Sequence, residues 1–217
     1  VDSGLHFFDV DHTVTKHSTG LSFLYQGIKM GILPFAPLVT APLLYWRYRI
    51  GRMDPRSVKQ EIPSLAGLHR EQLELIAARC FEERIRPDIF REAEQRIRGL
   101  RRAGGEVVFA TLSVDIIIRP LADYLGVADS IASSFEFSGD TCTGRFEGGP
   151  IFNLQKRDQV LRFIESSGRR PEECSFYSDS INDLPLLESV GTPVAVNPDR
   201  KLADEASRRS WEILRWK

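Results

Sequence analysis

The chain has 217 residues, of which 42% are hydrophobic and 27% charged, the composition of a soluble globular protein large enough to bury a real core. Lys and Arg total 29 against 30 for Asp and Glu, a formal net charge of -1, so the charge balance gives no reason to expect a nucleic-acid partner and asks any acidic substrate to find a local basic site. Cys80, Cys142 and Cys174 are odd in number and contain no Cys-x-x-Cys pair, which suggests neither a disulfide framework nor a zinc site and fits a reducing cytoplasm. Val1 lies only a few residues before the first predicted strand, leaving no room for a signal peptide unless one has been removed; without an initiating Met the chain reads as trimmed. One domain with a modest insertion is the expected organisation.

Leu5-His6-Phe7-Phe8 reads as a buried strand that runs into two carboxylates, Asp9 and Asp11. Residues two apart on a strand point to the same side, so the pair shares one site at the strand's C-terminal end, where open α/β sheets hold their ligands. Residues 18 to 50 are rich in Leu, Phe, Tyr and Ile, and Ile32 to Trp46 carries no charge. That run is shorter than the about 20 apolar residues of a membrane span and contains Pro34, Pro37 and Pro42, so it predicts proline-broken helices with no crossing. Arg47, Arg49 and Arg52 follow it, a pattern that also suits peripheral contact with a lipid surface through residues 18 to 52.

Residues 54 to 86 predict a helical stretch, and Ile89 to Arg102 a second amphipathic helix stopped by Gly104-Gly105. Glu106 to Thr111 is a strand ending in a hydroxyl, Asp115 to Tyr124 a helix closed by Gly126, and Ser130 to Phe137 a further strand. Ser138 to Gly149 is a hairpin-like excursion. A helix follows from about Gln155 to Ser166, then a strand over Ser175 to Ser178 that again ends in acids, Asp179 and Asp183. Pro193 to Val196 is a fifth strand and Trp211 to Trp216 an edge strand. Alternating helices and strands imply a parallel sheet reached by right-handed crossovers.

In such a sheet the strand ends converge on one edge. Asp9 offers a nucleophile able to form an aspartyl-phosphate, and Asp11 an acid and base. Thr111 or Ser113 suits phosphate oxygens, Lys156 supplies the countercharge, and Asp179 completes a magnesium site, with Asp183 one helical turn on. Taken singly, each residue has a plainer reading: Lys156 as a solvated lysine at a helix start, Thr111 as a β-branched strand residue, Asp179 and Asp183 as helix caps.

Taken in order, Phe8-Asp9-Val10-Asp11-His12-Thr13-Val14, Thr111, Lys156 and Ser178-Asp179-Ser180-Ile181-Asn182-Asp183 resemble the four motifs of the haloacid dehalogenase (HAD) superfamily. The tail from Gly191 to Trp211 resembles the HAD-IB branch, which includes phosphoserine phosphatase relatives. The resemblance implies a Rossmann-like α/β core over residues 1–14 and 87–217 with an inserted helical cap over 15–86. It implies a Mg²⁺-dependent phosphomonoester hydrolase in which Asp9 is nucleophile and metal ligand and Asp11 is general acid/base, lending its carbonyl to the metal. Thr111, Lys156 and Asn182 would lie at the phosphoryl group, Asp179 would be the third protein ligand of Mg²⁺, and Asp183 would support it.

Two departures bear on substrate. Phosphoserine phosphatases often carry Ser-Gly-Gly where this chain has Thr111-Leu112-Ser113, and a substrate-reading Glu nine residues after the nucleophile, where this chain has Ser18. Without that carboxylate the amino group of phosphoserine has no partner, which argues against that substrate and leaves a small-metabolite or lipid phosphate. A phosphotransferase of the same chemistry is the nearest alternative, and a non-catalytic metal- or partner-binding module the alternative of another class. The expected location is cytoplasmic, with membrane association through the apolar segment as the variant.

Overall fold

The structure, a computed structural model, describes residues 4–35, 61–151 and 153–217. Most of the predicted apolar run, with Pro37, Pro42 and Arg47, Arg49 and Arg52, lies outside those residues, so the proline-broken helices beyond residue 35 and the lipid-facing segment are expectations only. Among the described residues, no helix is long and apolar enough to cross a membrane.

Six parallel strands form the main sheet: β1 (Leu5–Phe8), β2 (Glu106–Val114), β3 (Asp129–Ser133), β6 (Cys174–Ser178), β7 (Thr192–Val196) and β8 (Glu212–Leu214), in the spatial order β3-β2-β1-β6-β7-β8. The chain lays β2 and β3 to one side of β1 and β6 to β8 to the other, so the strand order reverses at β1. That reversal opens the crevice in which doubly wound sheets bind ligands. Phe8 is level with Phe109 on one side and Tyr177 on the other, which sets the ends of β1 and β6 beside each other and level with the middle of β2.

Strand alternation sorts the core into two layers. Phe8, Phe109, Tyr177 and Val194 face one layer with helix α3 (Arg91–Arg102) and helix α4 (Asp115–Leu125). Phe7, Val108, Phe176 and Ala195 face the other with helix α5 (Asn153–Ser166) and helix α7 (Arg200–Arg208). Phe8 and Tyr177 stack across neighbouring strands with centroids 4.1 Å apart. Burying both faces explains why these strands read as continuous apolar runs.

Three predicted boundaries change. The run from Ser130 to Phe137 is two strands, β3 in the main sheet and β4 (Phe135–Ser138), which leaves it at Ser134 to pair antiparallel with β5 (Thr141–Phe146). Strand β2 runs beyond Thr111 to Val114 across an irregularity in its pairing with β3. The second amphipathic helix starts at Arg91, because Ile89 is taken into an antiparallel bridge with Thr15.

The predicted helical stretch over 54 to 86 is interrupted. Helix α2 (Arg70–Cys80) continues as a π-turn through Phe81–Ile85, but the segment before it lies along the hairpin. There Ile62 N–H donates to Gly144 O, Gly67 N–H to Cys142 O and Cys142 N–H to Leu68 O, at 2.6, 2.9 and 2.8 Å. At the other end, the chain crossings near residues 15 and 89 run side by side. Phe90 N–H donates to Val14 O and Lys16 N–H to Asp88 O, while the Asp88 carboxylate accepts the His17 backbone N–H and pairs with His17 Nδ1 at 2.7 Å.

Candidate active site

Asp9 is the first residue past β1 and is fixed in place by its own N–H, which donates to Tyr177 O at 2.9 Å. Its carboxylate is buried, and Oδ1 accepts from Lys156 Nζ at 2.9 Å. Lys156 projects from the first turn of α5 and is itself only 1% exposed; its ammonium also reaches Asp183 Oδ2 at 2.9 Å. The plainer reading of Lys156 as a solvated lysine therefore gives way. Asp183 Oδ2 additionally accepts from the Ser178 hydroxyl at 2.7 Å, so the lysine is held between two carboxylates from different strand ends.

The electrostatics of this cluster are unbalanced. Burial pushes the Asp9 carboxyl up to about 7, with Lys156 pulling it back and the charges of Asp183 and Asp11 adding to the rise. Burial pulls the Lys156 ammonium down, yet Asp183 and Asp9 together outweigh it and leave the lysine above its ordinary range. One lysine does not offset the acids around it, and the site favours a further cation. Its donors are all oxygens, which suits a hard divalent ion. Among the described residues no three His, Cys, Asp or Glu side chains form a ready-made cage. A ligand set of two carboxylates and a backbone carbonyl is compatible with that.

The hydroxyls of β2 divide their roles. Thr111 Oγ1 accepts from the Ser113 N–H at 3.1 Å, leaving its own hydrogen to give, whereas Ser113 Oγ lies 2.8 Å from Thr19 Oγ1. Thr19 in turn donates both its N–H and its hydroxyl to Asp11 Oδ1, at 2.9 and 2.7 Å. Of the two candidates for phosphate oxygens, Thr111 is the one whose hydroxyl hydrogen has no acceptor among the described residues.

The loop after β6 carries Asp179 and Asn182 and is pinned by a residue the sequence reading passed over. Asp199 donates its N–H to Asp179 O at 2.8 Å and accepts the Ile181 N–H at 2.9 Å, while its other carboxylate oxygen caps α7 by accepting from Leu202 N–H. Asp199 is the N-cap of α7, a helix for which the sequence reading had no place; an Asp three residues before the apolar Leu202 is the signal that could have exposed both. Asp199→Ala should therefore cost about 1 kcal/mol from the cap alone, more if the loop loosens, as read by urea denaturation. Ser18 caps helix α1 (Thr19–Lys29), its hydroxyl accepting from Leu21 N–H, and is buried.

Asp9, Lys156 and Asp183 thus meet past the ends of β1 and β6, with Thr111 on the adjacent β2. A profile of the haloacid dehalogenase-like hydrolases matches residues 6–188. The chain belongs to that family. Among curated relatives, the "Inhibition of morphological differentiation protein" of Streptomyces azureus is 33% identical over 96% of this chain and 76% of its own length. A histidinol-phosphatase of Neisseria meningitidis serogroup C is 29% identical over 98% of this chain and 99% of its own. Among solved structures, a protein of unknown function from Bordetella pertussis Tohama I superposes with a TM-score of 0.86 at 28% identity, covering 97% of both chains. The family resemblance read from the four motifs holds, and this HAD protein is a phosphatase.

Proposed function

We propose that this HAD phosphatase is Mg²⁺-dependent and hydrolyses its ester through an aspartyl-phosphate on Asp9. The observation that carries the reading is the buried Lys156 ammonium bridging Asp9 and Asp183: it sets a cation against the candidate nucleophile, with Thr111 on the neighbouring strand β2. Asp9 and Asp179 would hold Mg²⁺ with the Asp11 carbonyl, and the bound ion would supply the positive charge that keeps Asp9 ionised and offsets the phosphoryl oxygens.

In the first step an Asp9 oxygen attacks phosphorus, the bond to the leaving alcohol breaks, and Asp11 gives that oxygen a proton. In the second, Asp11 takes a proton from water as the water oxygen attacks phosphorus and the Asp9–phosphorus bond breaks. Thr111 and Lys156 hold the phosphoryl oxygens throughout, Asn182 lies at the phosphoryl group, and Asp183 keeps Lys156 aimed. Residues 15–86 form the cap and 1–14 with 87–217 the core; the paired crossings near residues 15 and 89 support placing the hinge there.

For substrate, the end-to-end likeness to a histidinol-phosphatase puts histidinol phosphate first. Ser18 is committed to capping α1, which supports the case against phosphoserine. A lipid phosphate is the second reading, favoured by the 64% exposure of Phe35 at the described end of the apolar segment, and it would bring peripheral membrane contact to a cytoplasmic protein. Phosphate release should be measured from histidinol phosphate, phosphoserine, sugar phosphates, nucleotides and lipid head-group phosphates, with Mg²⁺ and with chelator. Mg²⁺-dependent release is expected. No release from any of them by folded, metal-loaded protein would overturn the hydrolase mechanism, and transfer to added alcohols in place of water would turn it into a phosphotransferase.

A further inference from the structure

We propose that Thr19 is the positioning residue for Asp11: it fixes one carboxylate oxygen so that the other faces the leaving group, and it ties that alignment to the first turn of α1. The inference rests on the acid/base reading of Asp11.

Both hydrogen bonds to Asp11 come from one residue and end on one atom. Thr19 N–H and Thr19 Oγ1 donate to Oδ1, and among the described residues Oδ2 has no partner. Two hydrogen bonds on Oδ1 hold the plane of the carboxylate and leave Oδ2 as the oxygen open to an incoming ester. The threonine hydroxyl has a single hydrogen, given to Asp11. Its 2.8 Å contact with Ser113 is therefore a bond from the Ser113 hydroxyl, and the chain of donors runs Ser113 to Thr19 to Asp11. Thr19 is only 1% exposed, so its hydroxyl does not exchange these partners for water.

The placement also links parts of the molecule that the proposed reaction needs in register. Thr19 is the first residue of α1, and its N–H is one of the orphan donors of that helix end. Ser18 satisfies the Leu21 N–H and Asp11 satisfies the Thr19 N–H. If α1 shifts, both bonds to Asp11 break together and the carboxylate is free to rotate. When α1 is seated, Asp11 is aligned beside the strand that carries Thr111. Asp11 would then donate its proton well only with the helix in place.

The test is a leaving-group series of aryl phosphates of near-equal size, from p-nitrophenyl to phenyl and p-methylphenyl phosphate, with kcat/KM measured for the wild type, Thr19→Val, Thr19→Ser and Asp11→Asn. A good leaving group departs without a proton and a poor one does not. Thr19→Val should lose about tenfold more on phenyl phosphate than on p-nitrophenyl phosphate, the same trend as Asp11→Asn but smaller, with KM changed little; Thr19→Ser should restore the slope. A loss equal on all three esters would mark Thr19 as merely structural, and a gain would mark it as a latch opposing catalysis. Either overturns the inference while leaving the role of Asp11 intact. If Asp11→Asn itself shows no leaving-group dependence, the acid/base reading fails first and takes this inference with it.

Discussion

On the proposed mechanism Asp9→Asn should lower turnover by more than about 10⁴-fold, because an amide in place of the proposed nucleophile cannot form the covalent intermediate. The same variant should reveal what the carboxylate costs the fold. With the carboxyl pushed up from 3.8 to about 7 in the folded protein, the folded chain holds a proton that the unfolded chain has already released across that interval. Stability of metal-free protein then falls as pH rises from about 4 to about 7, and the penalty is complete above 7. Asp9→Asn has no such group, so the difference in Tm between wild type and variant in chelator should drift in favour of the variant over that interval. Mg²⁺ should cancel the drift by compensating the buried charge. Residual turnover near the wild-type rate in a folded variant would remove Asp9 as nucleophile, and parallel Tm curves would remove the account of its burial.

Lys156→Ala combines a loss of catalysis with a loss of fold. It strips the shared countercharge from two buried carboxylates, Asp9 and Asp183, and breaking a buried ion pair from one side typically costs about 3–5 kcal/mol. If Lys156 binds the phosphoryl group as proposed, turnover should fall by about 10³-fold, since such a cation held in a dry site is worth far more than one in water. Denaturant midpoints and phosphate release at saturating Mg²⁺ check the two effects separately. A variant as stable as the wild type would show that the acids relax to share the charge in some other way.

Much of this site could be read from sequence because chemistry interrupts patterns that packing alone would have continued. Asp9, Asp11 and Asp179 follow apolar strands abruptly, and the strand order then brings those ends together. Lys156 carried a second signal: it lies four and eight residues before Val160 and Ile164, both buried, so it sits on the inward stripe of α5. Thr19 sits on the buried stripe of α1 with Phe23 and Gln26 in the same manner. A polar residue on an apolar stripe needs a partner, and here the partners are the acids of the site. What could not be read depends on distant pairing. Nothing local tells Ser134 that the chain leaves one sheet for another, since β4 finds its partner only after the turn at Gly139. Nor does the sequence before α2 show that it lies along a hairpin more than seventy residues later.

The central position of β1 has a consequence for how the protein is made. It precedes all its partners in the chain, yet both its edges are filled from far downstream: Leu5 pairs with Glu106 on one side and Cys174 on the other. As the polypeptide emerges, this aromatic strand waits with bare hydrogen-bonding edges until residues 106 to 109 arrive, and one edge stays bare until residues 174 to 177 follow. Such long loops must close before the native contacts reward them, which makes folding slow and leaves a sticky segment exposed meanwhile. The segment that waits is the one that delivers Asp9, so the nascent chain fixes the setting of that carboxylate only once residues 174 to 177 have been made.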